Sequence, residues 1–289
     1  MDTNELLRRV RRVEIKSRVL TDNILAGEYH SAFKGRGMSF AEVREYQVGD
    51  DVRDIDWNVT ARLNRAHIKV YEEERELTVM LLIDVSASQN FGTRERTMHE
   101  LATEVAATLA FSAIQNNDKI GVIFFSDKIE KFIPPMKGRK HILYIIRELL
   151  TLSATSKRTD LNVPLEYLLR LQHRRCIVFL MSDFITRTDF SAPLQVAGRK
   201  HDMVAVQLYD PLMAELPDVG LMKYVDAETG HEQYVDTSSR RVRAFHSNAW
   251  AERQGALNDL FRRNRVDAVS IATNEDYVRS LVNLFAKRN

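Results

Sequence analysis

The sequence predicts an α/β fold: a doubly wound, mostly parallel sheet with helices on both faces. Two observations point there. Apolar runs a few residues long recur along the chain and alternate with segments whose apolar residues step by three and four. Two of these runs are uninterrupted and rich in β-branched residues, as strands buried on both faces require: Thr78-Val79-Met80-Leu81-Leu82-Ile83 and Cys176-Ile177-Val178-Phe179-Leu180-Met181. Both runs end in an acid, Asp84 directly and Asp183 after Ser182. Ligands of open α/β sheets bind at the carboxyl ends of the strands.

Composition narrows the class. The chain has 289 residues, is 44% hydrophobic and 28% charged, and carries 42 basic against 40 acidic residues, a net charge of +2. It can build a sizeable core, and its near-balanced charge gives no argument for nucleic acid. A single cysteine, Cys176, excludes an internal disulfide, fits a reducing compartment, and reads as a buried structural thiol. No stretch approaches the ~20 apolar residues of a membrane span, and the first residues lack the apolar core of a signal peptide. A cytoplasmic protein is expected.

At the N-terminus, Leu6, Val10 and Val13, with Leu20, fall near one face of a helix whose remaining surface carries Arg8, Arg9, Arg11, Arg12, Lys16 and Arg18. Such a helix can pack by its narrow stripe on its own domain or lie on an anionic membrane surface; packing is the favoured reading. From residue 27 to 75, glycines 27, 35, 37 and 49 interrupt any long helix. Asp50, Asp51, Asp54 and Asp56 do not have EF-hand spacing, and Arg44, Arg53 and Arg62 are at hand as counter-charges, so Arg–Asp pairing is expected there. Trp57 is expected to plug a core, and Ile68 to Glu72 to form a strand.

Past Ile83 the chain reads Asp84-Val85-Ser86-Ala87-Ser88. Alternate residues of an extended segment point the same way, so Asp84, Ser86 and Ser88 can converge on one spot. One carboxylate and two hydroxyls form an all-oxygen set, which suits a hard cation such as Mg²⁺. A helix holding Met98, Leu101, Val105 and Leu109 follows, opened by a Thr97/Glu100 capping box. Next come strands at 119 to 126 and 129 to 133, the second ended by Pro134-Pro135, and a helix after Gly138. Residues 153 to 157 form a polar loop, and Thr159-Asp160 opens another helix, where Asp160 has a capping role available. A strand at 203 to 209 leads to Asp210-Pro211. A hairpin with arms 221 to 225 and 232 to 235 turns at Asp226-Ala227-Glu228-Thr229-Gly230, an ordinary setting for acids. An arginine-rich helix from about 239 to 264, a strand at 268 to 272 and a helix from 275 to 287 complete the chain.

The Asp84-x-Ser86-x-Ser88 run resembles the metal-ion-dependent adhesion site of von Willebrand factor A (vWA) domains. Together with Gly49-Asp50-Asp51, Arg53, Ile55-Asp56-Trp57 and Thr60-Ala61-Arg62 upstream, it makes the chain similar to the bacterial "domain of unknown function 58" proteins. The resemblance implies a family segment over residues 1–76 and a vWA-like domain over 77–289, with the hairpin inserted near 219–236. The N-terminal segment is expected to dock on the sheet domain. It also implies a metal site of Asp84, Ser86, Ser88, Thr159 and Asp183, with Thr159 supplied by the second loop and Asp183 acting through water. The ion would be Mg²⁺, with Mn²⁺ or Ca²⁺ as alternatives. Arg158 stands where the family's flanking glycine is usual, and Gln89 where methionine is common. The partners implied are a MoxR-type AAA+ ATPase and an acidic residue of a client protein, in protein maturation or complex assembly.

The sequence speaks against several chemistries. There is no phosphate-binding G-x-x-x-x-G-K-[ST] loop, Gly35-Arg36-Gly37 lacks the rest of a dinucleotide fingerprint, no H-E-x-x-H pair occurs, and Ser86 has no nucleophile elbow around it. A phosphatase of the haloacid-dehalogenase type would use the acid after a first strand as nucleophile and a second acid two residues on; Ser86 occupies that position. A non-enzymatic binding role is therefore expected. The alternative is a scaffold without a functional metal site whose basic helix contacts membrane.

Overall fold

The computed structural model describes residues 3–20, 26–33, 38–73, 76–93, 96–152 and 154–288. In chain order, helices α1 (Thr3–Leu20) and α2 (Ala26–Phe33) precede an antiparallel pair, β1 (Met38–Glu45) and β2 (His67–Glu73), with the short helix α3 (Trp57–Leu63) between its strands. Then follow β3 (Thr78–Asp84), α4 (Met98–Gln115), β4 (Lys119–Phe125), β5 (Ile129–Met136), α5 (Arg139–Thr151), α6 (Asn162–Leu171), β6 (Ile177–Ser182), α7 (Ser191–Lys200) and β7 (Asp202–Tyr209). The single turn α8 (Pro211–Ala214), the hairpin β8 (Leu221–Val225) and β9 (Glu232–Asp236), α9 (Arg240–Arg263), β10 (Asp267–Ala272) and α10 (Tyr277–Ala286) end the chain.

Six strands form one sheet in the order β10-β7-β6-β3-β4-β5. Every pairing is parallel except β4 with β5, which a tight turn joins. This is the doubly wound vWA-like arrangement the sequence implies. The chain leaves β3 toward β4 on one side and later returns to its other side as β6. The carboxyl end of β3 is therefore a topological switch point, where a crevice opens between loops that diverge to opposite faces.

Strand periodicity divides the core. Val79, Leu81 and Ile83 face a layer built from α1, α2, α4, α5 and α10, while Met80 and Leu82 face α6, α7 and α9. Phe124 and Phe179 join the first layer, and Phe125, Val178 and Leu180 the second. Helix α4 lies on the first face, buried along most of its length, and opens with the Thr97/Glu100 capping box.

The N-terminal helices are part of this packing. Val10 and Val13 of α1 rest against the first layer; Glu14 accepts from Arg139 Nε at 2.8 Å, and Lys16 pairs with Glu104 at 2.8 Å. The side chains of Leu6 and Leu20 lie outside the described ones. In α2, Phe33 meets Phe179 and Phe285 edge-on at 6.0 and 5.7 Å, under the guanidinium of Arg288 at 4.6 Å. Arg288 in turn holds Asp202 at 2.5 Å and Asp267 at 3.1 Å, binding the end of the chain to β7 and β10.

Several expectations need correction. Trp57 plugs no core: it is 70% exposed on α3, while Asp56 before it caps that helix through the amides of Asn58 and Val59. Of the expected Arg–Asp pairs, Arg44 with Asp50 forms, two-pronged at 2.8 and 2.7 Å; Asp51 and Asp56 accept backbone amides instead. Pro134-Pro135 does not end β5, which runs on to Met136, because an edge strand has ladder positions that need no amide. Helix α6 starts at Asn162; Asp160 lies ahead of it and accepts the Asn162 amide at 3.0 Å. Cys176 is free and buried, as expected, and burial pushes its thiol up to about 12. No described helix is long and apolar enough to cross a membrane.

Replacing Phe33 by Ala should cost about 3–5 kcal/mol in chemical denaturation, as for other fully buried aromatics. Trp57→Ala should change stability by no more than about 0.5 kcal/mol, the usual range for surface positions. A large loss at Trp57 would contradict its exposed placement.

Candidate metal centre

Strand β3 delivers Asp84 to the crevice, and the chain turns at once into a short 3₁₀ turn over Ala87–Asn90. Asp84 is 1% exposed. Its Oδ1 accepts the Ser86 amide at 2.9 Å and its Oδ2 accepts the Ser182 hydroxyl at 2.6 Å. The Ser86 and Ser88 hydroxyl oxygens lie 3.2 Å apart, and the Thr159 hydroxyl donates to Ser86 Oγ at 2.8 Å. Asp183, just past β6, accepts the Ile185 amide at 2.9 Å on Oδ1; its buried Oδ2 has no hydrogen-bond partner among the described residues. The structure thus brings Ser86, Ser88 and Thr159 into one hydroxyl cluster, with the carboxylates of Asp84 and Asp183 beside it.

The loop carrying Thr159 is held from three sides. The Ala87 amide donates to Lys157 O at 3.2 Å, the Asp160 amide to Ser126 O at 3.2 Å, and the Thr186 hydroxyl to Thr159 O at 3.2 Å. Glu130 of β5 reinforces it by accepting from Ser126 Oγ, from the Thr155 amide and hydroxyl, and from the Ser156 amide at 2.7 to 3.2 Å. Burial opposes its charge, but these donors win and hold Glu130 below the usual carboxylate range. Arg158 has an ordinary negative φ, so this loop needs no glycine there. Phe184, by contrast, sits at φ +57, a conformation costly for an aromatic residue. It is kept there by Phe261 and Phe190, with ring centres 5.1 and 6.3 Å away, and turns the Ile185 amide back onto Asp183.

The electrostatics of three acids at the same sheet edge differ. Asp210, after β7, is fully buried, but Thr93 (amide and hydroxyl), the Leu212 amide and the Thr273 hydroxyl all donate to it. Burial pushes its carboxyl up, and these donors more than reverse that. Asp84 goes the other way. Burial first, and then the neighbouring charge of Asp183, raise it to about 7 against the donors it has. Asp183 is likewise raised, by burial above all and in part by the charge of Glu228, against the Ile185 amide and the hydroxyls of Ser88 and Ser182. No lysine or arginine among the described residues pairs with either acid. Two buried carboxylates short of donors and of counter-charge call for a cation.

The donor set fits such an ion. All five side chains offer oxygen, three of them neutral hydroxyls, which matches Mg²⁺ better than a soft metal. Among the described residues no group of three or more His, Cys, Asp or Glu side chains is placed to hold a metal, so hydroxyls would have to carry the coordination.

Sequence reasoning missed Ser182, Glu130 and Glu228. Ser182 lay in plain view in the Ser182-Asp183 pair. Glu130 gave no signal, because its partners come from a loop distant in sequence. Glu228 was read with its neighbours as an ordinary turn acid, and Asp226 is one: its Oδ1 accepts the amides of Glu228 and Thr229. Glu228 differs, since its Oε1 accepts the Thr159 amide at 3.1 Å, at the centre of the site. Gln89 is buried within the 3₁₀ turn over Ala87–Asn90, and neither of its side-chain amide atoms is hydrogen-bonded among the described residues.

Comparison with known proteins agrees with the fold. Residues 42–256 match the family described as "Protein of unknown function DUF58". The uncharacterized protein Rv1480 of Mycobacterium tuberculosis is 30% identical over 292 residues, covering 100% of this chain and 91% of that protein. The uncharacterized protein YeaD of Bacillus subtilis is 28% identical over 109 residues, 38% of this chain and 25% of that protein. Among solved structures, the conserved hypothetical protein BatB of Bacteroides thetaiotaomicron superposes with a TM-score of 0.50 at 13% identity, covering 73% of this chain and 98% of that one. An aerotolerance-related membrane protein of Bacteroides fragilis gives 0.50 at 14% identity, covering 73% and 99%.

Two outcomes follow from the site's chemistry. An acid whose native value is raised binds more protons folded than unfolded, so it removes stability as pH climbs from about 3.9, the unfolded value, through about 7. In EDTA the urea midpoint should therefore fall between about pH 4 and about pH 7, and Asp84→Asn should flatten that decline. An unchanged slope in the variant would contradict the buried charge at Asp84. Gln89→Met should stabilise the fold by about 1 kcal/mol or more, because it removes two unpaired polar atoms at similar volume; a loss in the same denaturation experiment would contradict it.

Proposed function

The chain belongs to the DUF58 family, and on that premise we propose that it is a non-enzymatic, metal-dependent adaptor that captures an acidic residue of a partner protein. The observation that carries this reading is the pair of buried acids, Asp84 and Asp183, set beside three clustered hydroxyls with no cationic side chain among the described residues to balance them. Ser86, Ser88 and Thr159 would hold the ion directly, and Asp84 and Asp183 would hold its waters. With neutral hydroxyls as direct ligands the ion stays electropositive, and Mg²⁺, which keeps waters and takes few carboxylates, would leave a position for an incoming Glu or Asp.

Within this reading the rigid parts have distinct duties. Ser182 orients Asp84, Glu130 fixes the loop that presents Thr159, and Phe184 turns the backbone around Asp183. Catalysis finds little support: Ser86 stands where a phosphatase of the aspartyl-nucleophile type needs a second acid. The membrane-scaffold reading is weakened because Val10 and Val13 are already spent on the first core layer.

The partner proposed from the family resemblance is a MoxR-type AAA+ ATPase, with this protein linking the ATPase to a client during maturation or assembly. Exposed Val48, Val52, Trp57 and Leu63, on the unit built from β1, α3 and β2, are consistent with a second contact surface. The test is recovery of partners from the native cell on the full chain in Mg²⁺ or in EDTA. The ATPase and client should be recovered in Mg²⁺ and lost both in EDTA and with Asp84→Ala. Equal recovery in EDTA would overturn the metal-bridged mechanism.

A further inference from the structure

The hairpin β8–β9 contributes nothing to either core layer, yet its tip reaches the site. Glu228 Oε1 accepts the amide of Thr159, whose own hydroxyl donates to Ser86 Oγ. The turn is built to hold that glutamate. Asp226 Oδ1 accepts the Glu228 and Thr229 amides at 2.9 and 3.1 Å, the Asp226 amide donates to His231 O at 2.9 Å, and the Gly230 amide to Asp226 O at 2.8 Å. Gly230 closes the turn at φ +72, where a side chain would be strained.

Resting on the metal reading above, we propose that Glu228 is a ligand supplied in cis. The hairpin lays its own carboxylate on the ion, in the position an acidic partner would take, and a partner must displace the tip to bind.

Charge supports this. Glu228 lies on the Thr159 amide, its charge bears on the buried Asp183, and no lysine or arginine among the described residues pairs with it. Arg187 approaches Asp226, at 3.7 Å, instead. Like charges brought together repel unless a cation lies among them. The unpartnered Oδ2 of Asp183, buried at the same place, is the second sign of a missing positive charge.

The hairpin is also built to let go. Among the described residues its strands pair only with each other, and a lone two-stranded ribbon is marginally stable in water. Leu221, Val225 and Tyr234 share its outer face and are exposed, so lifting the tip uncovers little apolar surface on that side. The base stays fixed: the Thr237 amide and hydroxyl donate to Gly220 O, and Arg243 ties Asp218 to α9 at 3.0 Å. Tip contacts that can exchange above a secured base describe a tethered competitor.

The experiment is Mn²⁺ binding to the full chain, followed by electron paramagnetic resonance and water-proton relaxation, for wild type, Glu228→Gln and Asp84→Ala. Wild type should bind one Mn²⁺. Glu228→Gln should bind it at least about tenfold more weakly, with one more exchangeable water on the ion, and Asp84→Ala should lose it. Hydrogen exchange supplies a readout independent of affinity: amides of residues 226–230 should slow on adding Mg²⁺ in wild type and not in Glu228→Gln. Wild-type affinity, hydration and protection in Glu228→Gln would overturn the cis ligand while leaving the metal site intact. No Mn²⁺ binding by wild type would overturn both.

Discussion

The structure turns on one electrostatic constraint: two carboxylates, Asp84 and Asp183, are buried side by side at the switch point of a parallel sheet, without a positive side chain among the described residues to balance them. Parallel strands that are apolar on both faces bring the chain to this edge and leave the loops beyond it to carry polarity. Asp210, at the same edge, shows what a purely structural acid looks like there. It is as deeply buried, but donors surround it and lower its pKa rather than raise it. The fold can therefore satisfy an acid at this edge, and it leaves Asp84 and Asp183 short.

Around that shortfall the supporting residues make sense as one arrangement. Glu130 on the antiparallel edge strand, the Ala87–Lys157 backbone contact and Thr186 all fix the loop that presents Thr159. Phe184 accepts an unfavourable φ so that Ile185 can return to Asp183. Strain of this kind persists where surrounding packing determines it, here through Phe190 and Phe261. The fold-level likeness to BatB agrees with this architecture; the reading of the site rests on the side chains themselves.

How much was legible follows from which forces act locally. The strands could be read because burial on both faces writes an unbroken apolar run, and the capping box at Thr97/Glu100 because it is set by residues three apart. Asp84, Ser86 and Ser88 could be grouped by strand alternation alone. Thr159 and Asp183 needed the family resemblance, since nothing local says which distant loops meet. Trp57 misled because a large aromatic usually marks a core, whereas here it faces solvent. Pro134-Pro135 misled because the sequence does not say which strand is an edge. Glu228 was invisible for the same reason as Glu130: a turn acid is explained by its own turn until tertiary structure places it against another loop.

The charge of Asp84 and Asp183 at the switch point needs a cation to resolve it. A crystal grown in Mn²⁺ and measured for anomalous scattering tests this most directly. One strong peak is expected among the hydroxyl oxygens of Ser86, Ser88 and Thr159, with Asp84 and Asp183 reaching it directly or through water. Well-ordered density with no peak there, or a peak held only by residues elsewhere, would contradict it.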